Sequence, residues 1–132
     1  MNGKVLIDTS VWIEFFRKKD SPVSRMLREF LKMDQACYAG PIAVELYQGA
    51  KTQQEILVLE QLFQTISYVE ITREHYHHAG LISQRAARKG KTFSTVDVVL
   101  ATVAQKEGLS LFSLDSHFKD IAKYCDVHLI NL

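Results

Sequence analysis

Short runs that are apolar throughout alternate along this chain with longer stretches whose apolar residues recur at helical spacing. "KVLI" (4–7) suits a strand buried on both faces, and "TSVWIEFFRK" (9–18) then reads as a helix. Ser21-Pro22 opens a second helix that carries Val23, Met26, Leu27, Phe30 and Leu31 on one face. "QACYAG" (35–40) is the next strand candidate, and Gly40-Pro41 starts another helix. Beyond Gly49 and the polar "KTQQE", a further helix has Ile56, Leu59, Leu62 and Phe63 in register. "ISYVEI" (66–71) reads as a strand, and a long helix runs from about Arg73 to Lys89, with Gly90 as its stop. "STVDVVLATVAQKEG" (94–108) predicts a helix whose stripe is Val96, Val99, Leu100, Val103 and Ala104, ended by Gly108. "SLFSL" (110–114) and "VHLINL" (127–132) are the remaining strands, with a short helix at about Ser116 to Tyr124 between them.

Strands that alternate with helices imply an α/β domain built on a mostly parallel sheet covered on both faces. In such sheets the functional crevice lies outside the carboxyl ends of the strands. Four acids fall at or near those ends: Asp8 after the first strand, Glu45 one turn into the helix after the second, Asp97 in the first turn of its helix, and Asp115 after "LFSL". Each aspartate also has a local use. Asp8 or Ser10 can cap the helix that follows, Asp115 can cap the next, and "STVD" fits a capping box with Ser94 as cap. Glu45 has no such use. It shares a helical face with Ile42, Leu46 and Gly49, and no lysine or arginine stands one turn before it. A carboxylate buried there costs on the order of several kcal/mol unless paired, which calls for a distant arginine or, on the better account, a cation from solution.

Clustered carboxylates repel, and such a group is stable only when protonated or holding a cation. All-oxygen donors select hard ions, Mg²⁺ or Mn²⁺. No Walker loop, GxGxxG run or HExxH is present. The triple His75, His77 and His78 mimics a metal cluster, but on one helix the three fan over different faces.

Composition narrows the picture only modestly. With 132 residues, 47% hydrophobic and 23% charged, the chain reads as one globular domain spanning 1–132. No run approaches the roughly 18 apolar residues of a membrane span, and no targeting signature is visible. Cys37 and Cys125 lack CxxC spacing and read as buried thiols, which together with the missing signal places the chain in the cytoplasm. The net charge of +1 says little, but two basic runs stand out: Arg17, Lys18 and Lys19, and then Arg85, Arg88, Lys89 and Lys91. Cations suit helix ends, and the second run is equally a candidate contact for an RNA backbone.

"LIDTSVWIE", "IAVELYQGA", "STVDVVLATVA" and "LFSLDSHF" resemble, in order and spacing, the signature segments of PIN-domain nucleases, and among them the VapC-type ribonuclease toxins of type II toxin–antitoxin systems. The resemblance covers essentially the whole chain. It implies a three-layer α/β/α fold with a central parallel sheet of four or five strands flanked by helices. It implies an Mg²⁺- or Mn²⁺-dependent endoribonuclease that holds one or two ions, hydrolyses RNA phosphodiesters through a metal-activated water and leaves a 5′-phosphate and a 3′-hydroxyl. On this likeness Asp8, Glu45, Asp97 and Asp115 are the catalytic, metal-holding quartet, supported by Ser10 and by Ser113, which stands where the family usually has threonine. His117 stands where many relatives carry another aspartate and is expected to be a lone surface histidine.

The resemblance also implies RNA as substrate, a small antitoxin as partner and a homodimer, for which "EILVLEQLF" (55–63) offers a face. Trp12, Phe15 and Phe16 are expected to be mainly core, with any exposed part of Trp12, Phe16 or Tyr47 a landing point for the antitoxin. Two readings from other classes stay open. One is a PIN-like module that binds without cutting. The other is a haloacid-dehalogenase-like phosphoryl-transfer domain with Asp8 as nucleophile, although such enzymes want a second aspartate where this chain has Ser10.

Overall fold

In a computed structural model, which describes residues 3–132, five strands form one parallel sheet in the order β3-β2-β1-β4-β5. The elements follow the chain as β1 (Val5–Ile7), α1 (Thr9–Arg17), α2 (Pro22–Lys32), β2 (Ala36–Tyr38), α3 (Gly40–Gly49), α4 (Gln53–Thr65) and β3 (Ser67–Tyr68). Then come α5 (Arg73–Arg88), α6 (Thr95–Glu107), β4 (Ser110–Phe112), α7 (His117–Ile121) and β5 (His128–Leu129). The chain works outward from β1 through β2 to β3, then crosses back to set β4 on the other side of β1. Right-handed crossovers assign α1 to α4 to one face of such a sheet and α5 to α7 to the other. The packing agrees: α1 meets α2 and α3, and α3 meets α4, whereas α6 meets α5 and α7.

The inner strands are short and mostly apolar because they are covered on both sides; Leu6, Ile7, Cys37, Leu111 and Phe112 are all buried. The outer strands are shorter than the pattern predicts. The expected strand 66–71 pairs only at Ser67 and Tyr68, and 127–132 only at His128 and Leu129. Each lies at a sheet edge with a single neighbour, and after β3 the chain must free Thr72 to cap α5.

Helix ends follow the local chemistry. Ser21, Thr52, Thr72 and Ser94 each accept a hydrogen bond from the backbone amide three residues on. Gly90 (φ 77°) and Gly108 (φ 69°) end α5 and α6 in the left-handed region, and the residue after each closes back by a bond from its amide, Lys91 to the Ala86 carbonyl and Leu109 to that of Ala104. The predicted stripe on α6 needs one correction. Val96 is 36% exposed, while all seven residues from Val98 to Ala104 are buried, because the helix middle is enclosed between the sheet, α5 and α7. Cys37 and Cys125 are buried free thiols, each pushed up to about 11 by burial, and are poor nucleophiles. Among the described residues no helix is long and apolar enough to cross a membrane.

The three histidines of α5 fan apart as expected. His78 meets Glu74 on its own helix, His77 is exposed, and His75 is buried. His75 takes the place that Glu or Gln fills in an ordinary capping box: its Nδ1 accepts the Thr72 amide at 2.9 Å while the Thr72 hydroxyl accepts the His75 amide. With Nδ1 accepting, Nε2 carries the proton and donates to Glu107 Oε2 at 3.1 Å. One ring thus ties the start of α5 to the end of α6. His75→Ala is expected to lower unfolding stability by about 1–3 kcal/mol, the cost of a lost cap plus an unmatched polar group. His75→Gln should recover only the capping part, and urea midpoints of the three proteins check the order.

Candidate metal centre

Order reverses in this sheet between β1 and β4, and their carboxyl ends face the crevice where open α/β folds bind ligands. Asp8 follows β1 directly and is held there by its amide, which donates to the Phe112 carbonyl at 2.9 Å. It stands at the N-cap position of α1 with extended backbone, yet its side chain makes no capping bond. Instead Oδ2 accepts from Ser10 Oγ at 3.0 Å and from Ser113 Oγ at 2.7 Å. Both hydroxyls are themselves fixed, because Leu114 N donates to Ser10 Oγ and Asp115 N donates to Ser113 Oγ, each at 3.0 Å. Each hydroxyl has one proton to give, and the donated amides leave Asp8 as its target. Asp8 is 8% exposed, and this network satisfies one oxygen of a buried carboxylate while leaving Oδ1 with no side-chain or amide donor among the described residues.

Asp97 reaches the same crevice from the first turn of α6, where Ser94 Oγ accepts its amide at 3.1 Å. Its carboxyl titrates above the ordinary aspartate range. Burial is the largest cause; the Ser94 hydroxyl opposes it, the Asp115 and Asp8 carboxylates add to it, and His117 opposes it. Asp115 completes the group after β4. Its Oδ1 accepts the His117 amide at 2.9 Å and lies 3.2 Å from His117 Nδ1. Asp97, Asp115 and His117 offer ligand atoms that all lie within 4.8 Å of one another.

Two expectations change here. Glu45 is exposed rather than buried on an apolar face, because α3 turns Ile42 and Leu46 inward and Glu45 sits about 100° round the helix from Leu46. Its burial therefore cannot be the reason for a cation. What holds it near the centre is Thr9, whose hydroxyl donates to Glu45 Oε1 at 2.6 Å from the residue next to Asp8. His117 is exposed, as expected, but it is not alone: the turn begun by Asp115 brings it against the acids. The D-x-H spacing was the available signal, since a residue two past an aspartate in such a turn meets its carboxylate.

The second basic run is divided between two jobs. Arg85 donates to the Tyr124 carbonyl at 2.8 Å and Lys89 lies over the Tyr124 ring, so these two fasten α5 to the segment after α7. Arg88 and Lys91 are exposed. On the opposite face Trp12 is fully buried and stacked on Phe16, so it is core and not a landing point. Phe16 and Tyr47 are partly exposed, and Phe16 joins Ile13, Leu46 and Val58 in lining a groove of about 510 Å³ that Glu45 borders.

Set against known proteins, this geometry has a clear place. The family model described as the PIN domain matches residues 5–124. The chain belongs to the PIN-domain family. It is 31% identical over 123 residues to Ribonuclease VapC11 of Mycobacterium tuberculosis, an alignment that covers 90% of this chain and 92% of that one. The PIN fold is also that of VapBC from Salmonella typhimurium, solved bound to DNA, with a TM-score of 0.80, 21% identity and 98% coverage of both chains. VapC20 of Mycobacterium tuberculosis, a toxin that cleaves the sarcin-ricin loop, matches with a TM-score of 0.67 and 16% identity over 89% of this chain and 94% of its own. The central sheet flanked by helices is thus the PIN-like α/β/α arrangement expected from the sequence.

The crowding of acids has a measurable consequence for this PIN domain without metal. A group that binds its proton more tightly folded than unfolded favours the fold at low pH, and that contribution is lost as pH rises through its folded value. Asp97 is such a group, so Asp97→Asn should raise the urea midpoint at pH 7 in chelator. The gain should fade towards pH 3, below the ordinary aspartate value of about 3.9. A midpoint unchanged or lowered at pH 7 would contradict the raised titration.

Proposed function

We propose that the chain is a divalent-metal-dependent endoribonuclease, the toxin of a VapBC-type pair, restrained by a small antitoxin. The observation that carries this reading is the cluster of Asp97 and Asp115, whose ligand atoms lie within 4.8 Å of one another, next to Asp8, which Ser113 ties to the Asp115 turn and whose Oδ2 is committed to two serines while Oδ1 is left open. Such a donor set fits a hard cation: carboxylate oxygens dominate it, and their mutual repulsion is what a cation relieves. When bound, Mg²⁺ or Mn²⁺ would supply Lewis-acid charge to the phosphodiester and ease deprotonation of the attacking water.

The side chains divide the remaining work. Asp8 Oδ1, Asp97 and Asp115 would hold the ion. Ser10 and Ser113 keep Asp8 from rotating, so that only one of its oxygens is offered. Glu45, water-exposed and steadied by Thr9 through Oε1, has Oε2 free to take a proton or to hold a second ion at the rim. Arg88 and Lys91 are the members of the basic run free to meet phosphates, since Arg85 and Lys89 are engaged with Tyr124. The groove lined by Ile13, Phe16 and Val58 ends beside Glu45, where an apolar antitoxin segment would lie next to the acids and block RNA.

Purified protein incubated with total RNA should produce discrete new ends with Mg²⁺ or Mn²⁺ and none with chelator. Asp97→Asn should cut at least about 10-fold more slowly while remaining folded, by analogy with the 10–100-fold losses seen on disturbing a metal's surroundings. A folded Asp97→Asn protein that cuts as well as its parent would refute the mechanism. Separately, replacing both Arg88 and Lys91 by Gln should weaken binding to single-stranded RNA uniformly across sequences. The slope of log K against log salt should become shallower by about 0.7 for each phosphate no longer neutralised. An unchanged slope would remove these residues from the RNA path.

A further inference from the structure

His117 is the one nitrogen donor that the fold sets among the clustered acids of the described residues. We infer that His117 is a direct ligand of the ion held by Asp97 and Asp115, making a mixed nitrogen–oxygen centre that takes Mn²⁺ in preference to Mg²⁺. This inference rests on the metal-dependent reading above and specifies the ion for it.

The distances suit two donors on one ion. Two donors on an octahedral ion at about 2.1 Å stand about 3.0 Å apart when adjacent and about 4.2 Å apart when opposite. His117 Nδ1 and Asp115 Oδ1 are 3.2 Å apart, which matches an adjacent pair. Oδ1 of Asp115 already accepts the His117 amide at 2.9 Å, and that bond locks the backbone which presents the ring. Asp97 comes from a different helix and shares the 4.8 Å limit with both, so donors from α6, the β4–α7 turn and the start of α7 are gathered in one place. A bond between Asp115 and His117 alone would place no demand on Asp97.

The consequence lies in the choice of metal. Mg²⁺ keeps to oxygen donors and retains its waters, whereas imidazole suits transition metals. Exchanging one carboxylate of an acidic site for imidazole therefore costs affinity for Mg²⁺ more than for Mn²⁺. The ring is exposed, so Nδ1 reaches the ion without the desolvation that a buried histidine would require.

The test uses the full chain stripped of metal, with Mn²⁺ alone as probe and no RNA. Pulsed electron paramagnetic resonance of bound Mn²⁺ should show nitrogen modulation in the parent and none in His117→Ala, with circular dichroism confirming the fold of each. His117→Asp, which restores an oxygen donor, should still bind Mn²⁺ without nitrogen modulation and should shift the Mn²⁺/Mg²⁺ affinity ratio towards Mg²⁺ by about tenfold or more. Saturable Mn²⁺ binding whose spectrum does not change on loss of His117 overturns this inference and leaves the metal-dependent nuclease standing. No saturable Mn²⁺ binding, or binding that Asp97→Asn leaves intact, overturns both.

Discussion

Everything at the mouth of this PIN domain hangs on the pairing of β1 with β4. Val5, Leu6 and Ile7 lie against Ser110, Leu111 and Phe112, and the Asp8 amide extends the ladder by one bond to Phe112. More than half the chain must be wound into two crossovers on one face and one on the other before these strands meet. Once they meet, two segments remote in sequence end side by side, and their next residues, Asp8 and Ser113, are within hydrogen-bonding distance. The proposed centre follows from that register. A slip of one residue would turn Ser113 to the other face of the sheet.

Burying a carboxylate at the mouth of such a sheet is costly unless its oxygens are satisfied. The fold satisfies half of that demand. Ser10 and Ser113 are oriented by backbone amides, and both give their protons to one oxygen of Asp8. The other oxygen takes no side-chain or amide donor among the described residues, and burial, with the Asp115 and Asp8 carboxylates adding to it, holds Asp97 above the ordinary aspartate range. In the proposed reading a divalent ion supplies the matching charge and chemistry.

Cations and histidines in this chain are divided between architecture and chemistry in ways that residue type alone does not reveal. His75 completes a helix cap and reaches Glu107, and Arg85 and Lys89 clamp Tyr124. His117 has the same side chain as His75, yet it stands exposed beside two acids. The difference lies in what the backbone brings near each ring: a helix start packed on α6 in one case, a strand end in the crevice in the other.

Local chemistry was legible in the residues alone. Alternation of apolar runs with amphipathic stretches specified the α/β class; proline, serine and glycine marked where α2, α3, α5 and α6 begin or end; and four acids near strand ends pointed to the crevice. Edge strands came out shorter than their apolar runs because pairing depends on a neighbour, which a linear pattern does not contain. Glu45 came out exposed because only packing decides which side of α3 faces the core. His117 joined the acids because a turn brought it there, and Arg85 turned to the Tyr124 carbonyl because folding set that segment opposite it. Whether Asp8 caps its helix or faces a metal was equally open in the sequence, since both uses want an aspartate at that position. Folding decides against the cap by placing Ser113, which is 105 positions away, where it draws the carboxylate off the helix.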